Sequence, residues 1–180
     1  MSVLITISGV PGSGKTTVAR LVAQALGLEH VYAGDIFRRA AEAARVSLEE
    51  YVRRAESDPG IDRSLDDEMR RRAARGDAVL EGRLSAVMAE QARVRALRVF
   101  LDASEAVRAA RIAEREGGAT EERLREIQRR EASDRRRYRD LYGVDYHDPA
   151  RYDLVMETDG ARPEEVARAI VARARDFFAR

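Results

Sequence analysis

Residues 9–16 read Gly9-Val10-Pro11-Gly12-Ser13-Gly14-Lys15-Thr16, an instance of the pattern G-x-x-x-x-G-K-[ST]. Before it, residues 3–8 form a short apolar run rich in β-branched side chains. After it, residues 16–26 place Val18, Leu21, Val22 and Leu26 at helical spacing, and Gly27 follows as a stop. A strand, a glycine-rich turn and a helix start in that order make an anion cradle. The glycines let backbone N–H groups approach phosphate oxygens, and the helix amino terminus adds partial positive charge. Residues 9–16, with Thr17 beside them, are therefore expected to bind ATP, Lys15 reaching the β- and γ-phosphates and the Thr16 hydroxyl ligating Mg²⁺. Composition alone produces such a pattern in on the order of 1% of chains this long, before any flanking context is required. The lysine sharpens the expectation: of the 33 basic residues every one but Lys15 is arginine. The exception falls where a compact ammonium, not a planar fork, is needed.

Outward from this motif, 180 residues suffice for one domain with its own core. With 44% hydrophobic and 36% charged residues and a net charge of +1, the composition is that of a soluble globular chain with an ionic surface. The absence of cysteine excludes disulfides and thiolate metal sites. His30 and His147 have no metal-ligand spacing between them. No run approaches the roughly 18 apolar residues of a membrane span, and the amino terminus enters a strand without a charged leader, so a cytoplasmic protein without a membrane partner is expected. Nucleic-acid binding calls for a concentrated basic patch, whereas here acids shadow the bases.

Four more strands are expected at residues 30–33, 78–80, 98–101 and 154–157. All are short and mostly unalternating, as buried parallel strands are, with helical patterns long enough for crossovers between them. A polar helical segment, residues 47–76, turns at Asp58-Pro59-Gly60 and separates the second strand from the third. A charged one, residues 105–143, is broken at Gly117-Gly118. A last helix, residues 163–178, opens on Pro163 with Glu164 and Glu165 in its first turn.

Two stretches follow strands on the edge that carries the glycine motif: Gly34-Asp35-Ile36-Phe37-Arg38 and Glu81-Gly82-Arg83. Ligands of open α/β sheets bind at that edge. Arg38 and Arg83 are suited to a phosphate held bidentately, and Asp35 and Glu81 to ordering water around Mg²⁺. The plainer alternatives are surface ion pairs for the arginines and helix capping for the acids, Asp35 at a helix beginning with Ile36.

Taken together, the glycine motif, the GDxxR and EGR stretches, the helical insertion and the arginine-rich segment resemble the nucleoside monophosphate kinases over the whole length. The nearest resemblance is to the cytidylate kinase group in its short archaeal form, through Val79-Leu80-Glu81-Gly82-Arg83-Leu84, Asp58-Pro59 with Asp62, and Arg136-Arg137-Tyr138 with Tyr142-Gly143. The resemblance implies a three-layer α/β/α P-loop fold, with a five-stranded parallel sheet in the order 2-3-1-4-5. It further implies a single domain over residues 1–180, with an acceptor-binding helical insertion at about 36–76 and a lid at about 112–137. It implies transfer of the γ-phosphoryl group of ATP to CMP or dCMP by a monomer, with Asp35, Arg38, Asp62, Glu81, Gly82, Arg83 and Asp134 on the acceptor. Lys15, Arg111, Arg115, Arg130 and Arg137 would gather around the moving group. Arg130, Asp134 and Arg137 match the bacterial R-D-x-x-D-x-x-R arrangement, but Glu131 replaces its first aspartate, and Leu84 stands where that form has the last aspartate of D-G-R-D. Two rivals share the cradle. A kinase of a shikimate-like or gluconate-like hydroxyl acceptor would need a base and fewer arginines. A non-enzymatic nucleotide switch should carry the N-K-x-D signature, which is absent.

Overall fold

A computed structural model describes residues 2–179, Glu49 by its backbone alone. The expected sheet is present: β1 (Leu4–Gly9), β2 (Glu29–Tyr32), β3 (Ala78–Glu81), β4 (Leu97–Asp102) and β5 (Leu154–Glu157) are parallel in the order β2-β3-β1-β4-β5. Both faces of its centre are covered. Ile5, Ile7, Val79, Leu97, Val99 and Leu101 meet α1 (Lys15–Leu26) and α8 (Pro163–Phe178) on one side. Leu4, Ala78, Leu80 and Phe100 meet Met69 and Ala73, Ala86 to Ala89 and the chain around Tyr146 on the other. Burial on both faces explains why these strands lack the polar–apolar alternation of a half-wet sheet.

The helices between β2 and β3 are α2 (Ala33–Ala43), α3 (Leu48–Ser57) and α4 (Pro59–Arg75). Ser47 caps α3 by accepting from the Glu50 amide, and Asp58 caps α4 by accepting from the Gly60 amide, with Pro59 in the first turn. Short α5 (Ser85–Gln91), which the sequence patterns do not single out, joins β3 to β4. Between β4 and β5, α6 (Glu105–Glu116) and α7 (Thr120–Tyr142) fold against each other as a hairpin through Ala109, Ile112, Ile127 and Leu124, with Gly117 and Gly118 at the bend. No helix among the described residues is long and apolar enough to cross a membrane.

Adjacent β1 and β3 lead to helices on opposite faces of the sheet, α1 among one core cluster and α5 among the other. Their carboxyl ends therefore open a crevice, the place where such sheets hold ligands. One boundary differs in a way that matters. Helix α2 begins at Ala33, not Ile36, so Asp35 lies inside its first turn and caps nothing. The α2 start also crosses β3 closely: a Cβ on Gly82 would lie 2.9 Å from that of Ala33.

Candidate active site

The glycine motif forms a loop whose carbonyls are held both by its own side chains and from outside. Lys15 Nζ donates to Val10 O at 2.6 Å and Ser13 Oγ to the same oxygen at 2.9 Å. Arg108 Nη1 reaches Pro11 O and Arg111 Nη1 reaches Gly12 O, each at 3.4 Å, and Thr158 Oγ1 lies 3.1 Å from Ser13 O. With the acceptors of four successive residues occupied, the donors at the start of α1 remain. Gly14 caps that helix without a side chain, and the first-turn amides have no acceptor inside the helix. Gly12 is obligatory twice over: its φ is +82°, and a Cβ there would lie 2.9 Å from both Cβ and O of Arg108.

Beneath the loop, Glu81 is almost wholly enclosed, 1% exposed. It accepts from Thr16 Oγ1 at 2.6 Å and lies 2.9 Å from His30 Nε2. Glu81 closes β3 and α5 begins only at Ser85, so helix capping is not its role. Burial, with the charge of Arg83 next, lowers the Lys15 pKa to about 7, and Glu81 opposes the shift. Arg83 is thus the strongest like-charge neighbour of the loop lysine.

On the facing side lies a buried ionic cluster built from three elements. Arg83 Nε, from the turn after β3, is 2.7 Å from Asp134 Oδ2 on α7. Arg137, one turn further along α7, spans Asp134 Oδ1 at 3.0 Å and Asp62 Oδ2 of α4 at 2.8 Å. Arg137 Nη2 donates a hydrogen bond to Asp134 Oδ1; the other two are ion-pair contacts, since Arg83 Nε, Arg137 Nε, Asp62 Oδ2 and Asp134 Oδ2 complete no aligned hydrogen bond. Burial works against the Arg83 charge, and Asp134 together with Tyr138, Tyr146 and Tyr32 more than restores it, so its pKa is raised. Burial likewise raises Asp62 despite Arg137. Beside them Tyr142 donates to Asp66 at 2.6 Å, and burial pushes the Asp66 carboxyl up to about 6. Arg130 faces the same space: the charge of Arg83 lowers its pKa, and among the described residues no carboxylate pairs with it.

The sequence-derived candidates thus divide. Lys15, Thr16, Glu81, Arg83, Arg130, Asp134, Arg137 and Asp62 come together. Asp35 and Arg38 do not join them: they pair with each other one turn apart on α2, about half exposed, with the Arg38 guanidinium 5.2 Å from the Tyr32 ring centre. For these two the local ion pair is the arrangement seen. Arg111 and Arg115, one helical turn apart, do not gather there either. Arg111 donates to Thr158 O at 2.7 Å and to Thr158 Oγ1 at 3.0 Å, as a brace behind the loop, whereas Arg115 pairs with its neighbour Glu116 in solvent. Arg83 is no surface ion pair, because its partner Asp134 is 4% exposed. Leu84 belongs to the core at 5% exposure, which is why no carboxylate occupies that position. Glu131 is ion-paired with Arg108, itself 4% exposed, so the departure at 131 is matched by a partner on α6. His30, Arg108, Asp66 and Thr158 were not legible as site neighbours. Only the strand register, which sets Tyr32 opposite Glu81, could have pointed to His30.

A parallel sheet in this order, with a glycine-rich anion loop after β1 and helical excursions after β2 and β4, defines a P-loop kinase fold. Residues 4–160 match the cytidylate kinase-like family, and the chain belongs to that family. A cytidylate kinase of Methanopyrus kandleri is 48% identical over 165 residues, 88% of this chain and 86% of that protein. One of Pyrococcus horikoshii is 45% identical over 175 residues, 97% of this chain and 89% of that protein. Among solved structures, a shikimate kinase from Bacteroides thetaiotaomicron superposes with a TM-score of 0.66 over 100% of both chains at 17% identity, a likeness of fold alone.

Proposed function

We propose that this protein transfers the γ-phosphoryl group of ATP to CMP or dCMP, giving ADP and the corresponding diphosphate. The observation that carries the reading is the meeting of Lys15, Arg83 and Arg130 between the phosphate loop and the Asp62–Arg137–Asp134 cluster. One cationic centre there has an anion cradle on one side and guanidinium groups on the other. Two phosphate-bearing molecules fit that arrangement; a hydroxyl acceptor does not call for it. An acceptor phosphate is already anionic, so no base is needed. Asp35, the acid that could act as one, is occupied by Arg38.

The loop amides and Lys15 hold the donor triphosphate, Arg83 and Arg137 hold the acceptor phosphate, and Arg130 approaches the group in flight. In-line placement and charge neutralisation are the whole of the catalysis asked of these residues. The part-buried Thr16–Glu81 pair offers hard oxygen donors beside the loop, which suits Mg²⁺ held mostly by phosphates and water. When bound, that ion neutralises charge on the β- and γ-oxygens. The helices 33–75 form the acceptor-side insertion and the α6–α7 hairpin the lid, which exclude water that would otherwise take the phosphoryl group.

A coupled assay of ADP release with CMP, dCMP, AMP, GMP and UMP, and shikimate and gluconate as controls, tests the reading. CMP and dCMP are expected to be fastest. A rate with every monophosphate no higher than without acceptor would overturn it.

A further inference from the structure

Glu81 receives two donors, and the reaction as described uses only one of them. A carboxylate accepts and does not donate, so at 2.9 Å from Oε2 the His30 imidazole carries its hydrogen on Nε2. The backbone explains why it can reach. Tyr32 is opposite Glu81 in the β2–β3 register, and His30 is two residues before Tyr32, so all three side chains leave the same face of the sheet, the one covered by α1. The imidazole lies parallel to the Tyr32 ring, with centroids 6.2 Å apart and planes 9° apart, which fixes its tilt. His30 comes from neither the phosphate loop nor the insertion or lid. Nothing in the transfer mechanism requires it.

We propose that His30 is a positioning residue for the divalent-cation site. By holding Oε2, it fixes the plane of the Glu81 carboxylate so that Oε1 takes the Thr16 hydroxyl hydrogen. The hydroxyl lone pairs are then left facing the place where ATP and its cation sit. The inference rests on the proposed role of Thr16 and Glu81 toward Mg²⁺. It concerns what orients them, since partners behind a metal site commonly set its affinity tenfold or more.

The test compares wild type with His30→Leu, which removes the donor, and His30→Gln, which keeps an N–H donor of similar reach. His30 is partly exposed, at 18%, so both are expected to fold, and thermal melts check this. Mn²⁺ binding to the protein–ATP complex, read by electron paramagnetic resonance without acceptor, is expected to weaken about tenfold in His30→Leu and to return to within about threefold of wild type in His30→Gln. ATP affinity measured calorimetrically in EDTA should be unchanged in both. In turnover, the Mg²⁺ concentration for half-maximal rate should rise in His30→Leu far more than kcat falls. Wild-type Mn²⁺ affinity in His30→Leu, equal loss in both variants, or a matching loss of metal-free ATP affinity would each overturn the proposal. If the wild-type complex holds Mn²⁺ no more tightly than free ATP does, the metal role of Thr16 and Glu81 falls as well, so the two failures are distinguishable.

Discussion

Lys15 is the residue on which the donor side depends. Its ammonium is bonded to Val10 O and crowded by Arg83, and it becomes most useful when a triphosphate supplies the missing negative charge. Lys15→Ala should lower kcat by about 10²–10³, while circular dichroism and melting temperature stay near wild type; near-normal turnover would remove the loop from the mechanism. Asp66 carries a stability prediction with a definite sign. Its folded pKa, about 6, lies above its ordinary value of 3.8. The folded state therefore binds the proton more tightly, and ionising Asp66 costs stability as pH rises between those values. The groups that face it are Tyr142, Asp62, Arg70 and Arg137. Asp66→Asn keeps an oxygen for the Tyr142 hydroxyl and removes the cost. The variant should match wild type near pH 4 and exceed it above pH 7 by roughly 2–3 kcal/mol, or several degrees in Tm. A gap that does not widen with pH would exclude this origin.

At the scale of elements, the α6–α7 hairpin has a seam of its own, Ala109, Ile112 and Ile127 with Leu124, separate from the two cores that cover the sheet. A small independent seam can loosen without unfolding the domain. Ile127→Ala removes most of one of its large side chains, a change that costs about 2–5 kcal/mol where the site cannot collapse. Hydrogen exchange should quicken across α6 and α7 while the amides of β1, β3 and β4 stay protected. If the hairpin excludes water during transfer, ATP hydrolysis without CMP should also rise relative to transfer; unchanged partitioning would argue against that role.

Legibility in the sequence follows the same physical line. The strands and the long helices are readable because burial on two faces leaves short apolar runs and helices leave a 3.6-residue spacing, as at Val18, Leu21 and Val22. The start of α2 is not, since Ala33-Gly34 carries no capping signal and the helix begins straight off β2. Spacing put Arg111 and Arg115 on one helix face, yet it could not reveal that Thr158, 47 residues beyond Arg111, supplies a carbonyl that draws the first away.

For the whole molecule, the two anion grips come from different parts of the chain, and their losses should be separable. Arg83→Met is expected to raise the KM for CMP by about tenfold to a hundredfold, the worth of one or two charged contacts. Metal-free ATP affinity, measured by calorimetry, should hold. Stability should also fall, because the enclosed Asp134 loses one of its two arginines and keeps only Arg137. Equal weakening of ATP and CMP would mean that the crevice is one site and not two.

The outward ties of the phosphate loop bear on how the protein is made. Ser13 is held by Thr158, which also takes Arg111 and lies against Asp102 O at 3.0 Å. The ties of the eight-residue motif are therefore complete only once residue 158 has left the ribosome. A nascent chain that stops short of that residue carries the sequence for gripping a triphosphate but lacks one of the braces that shape it.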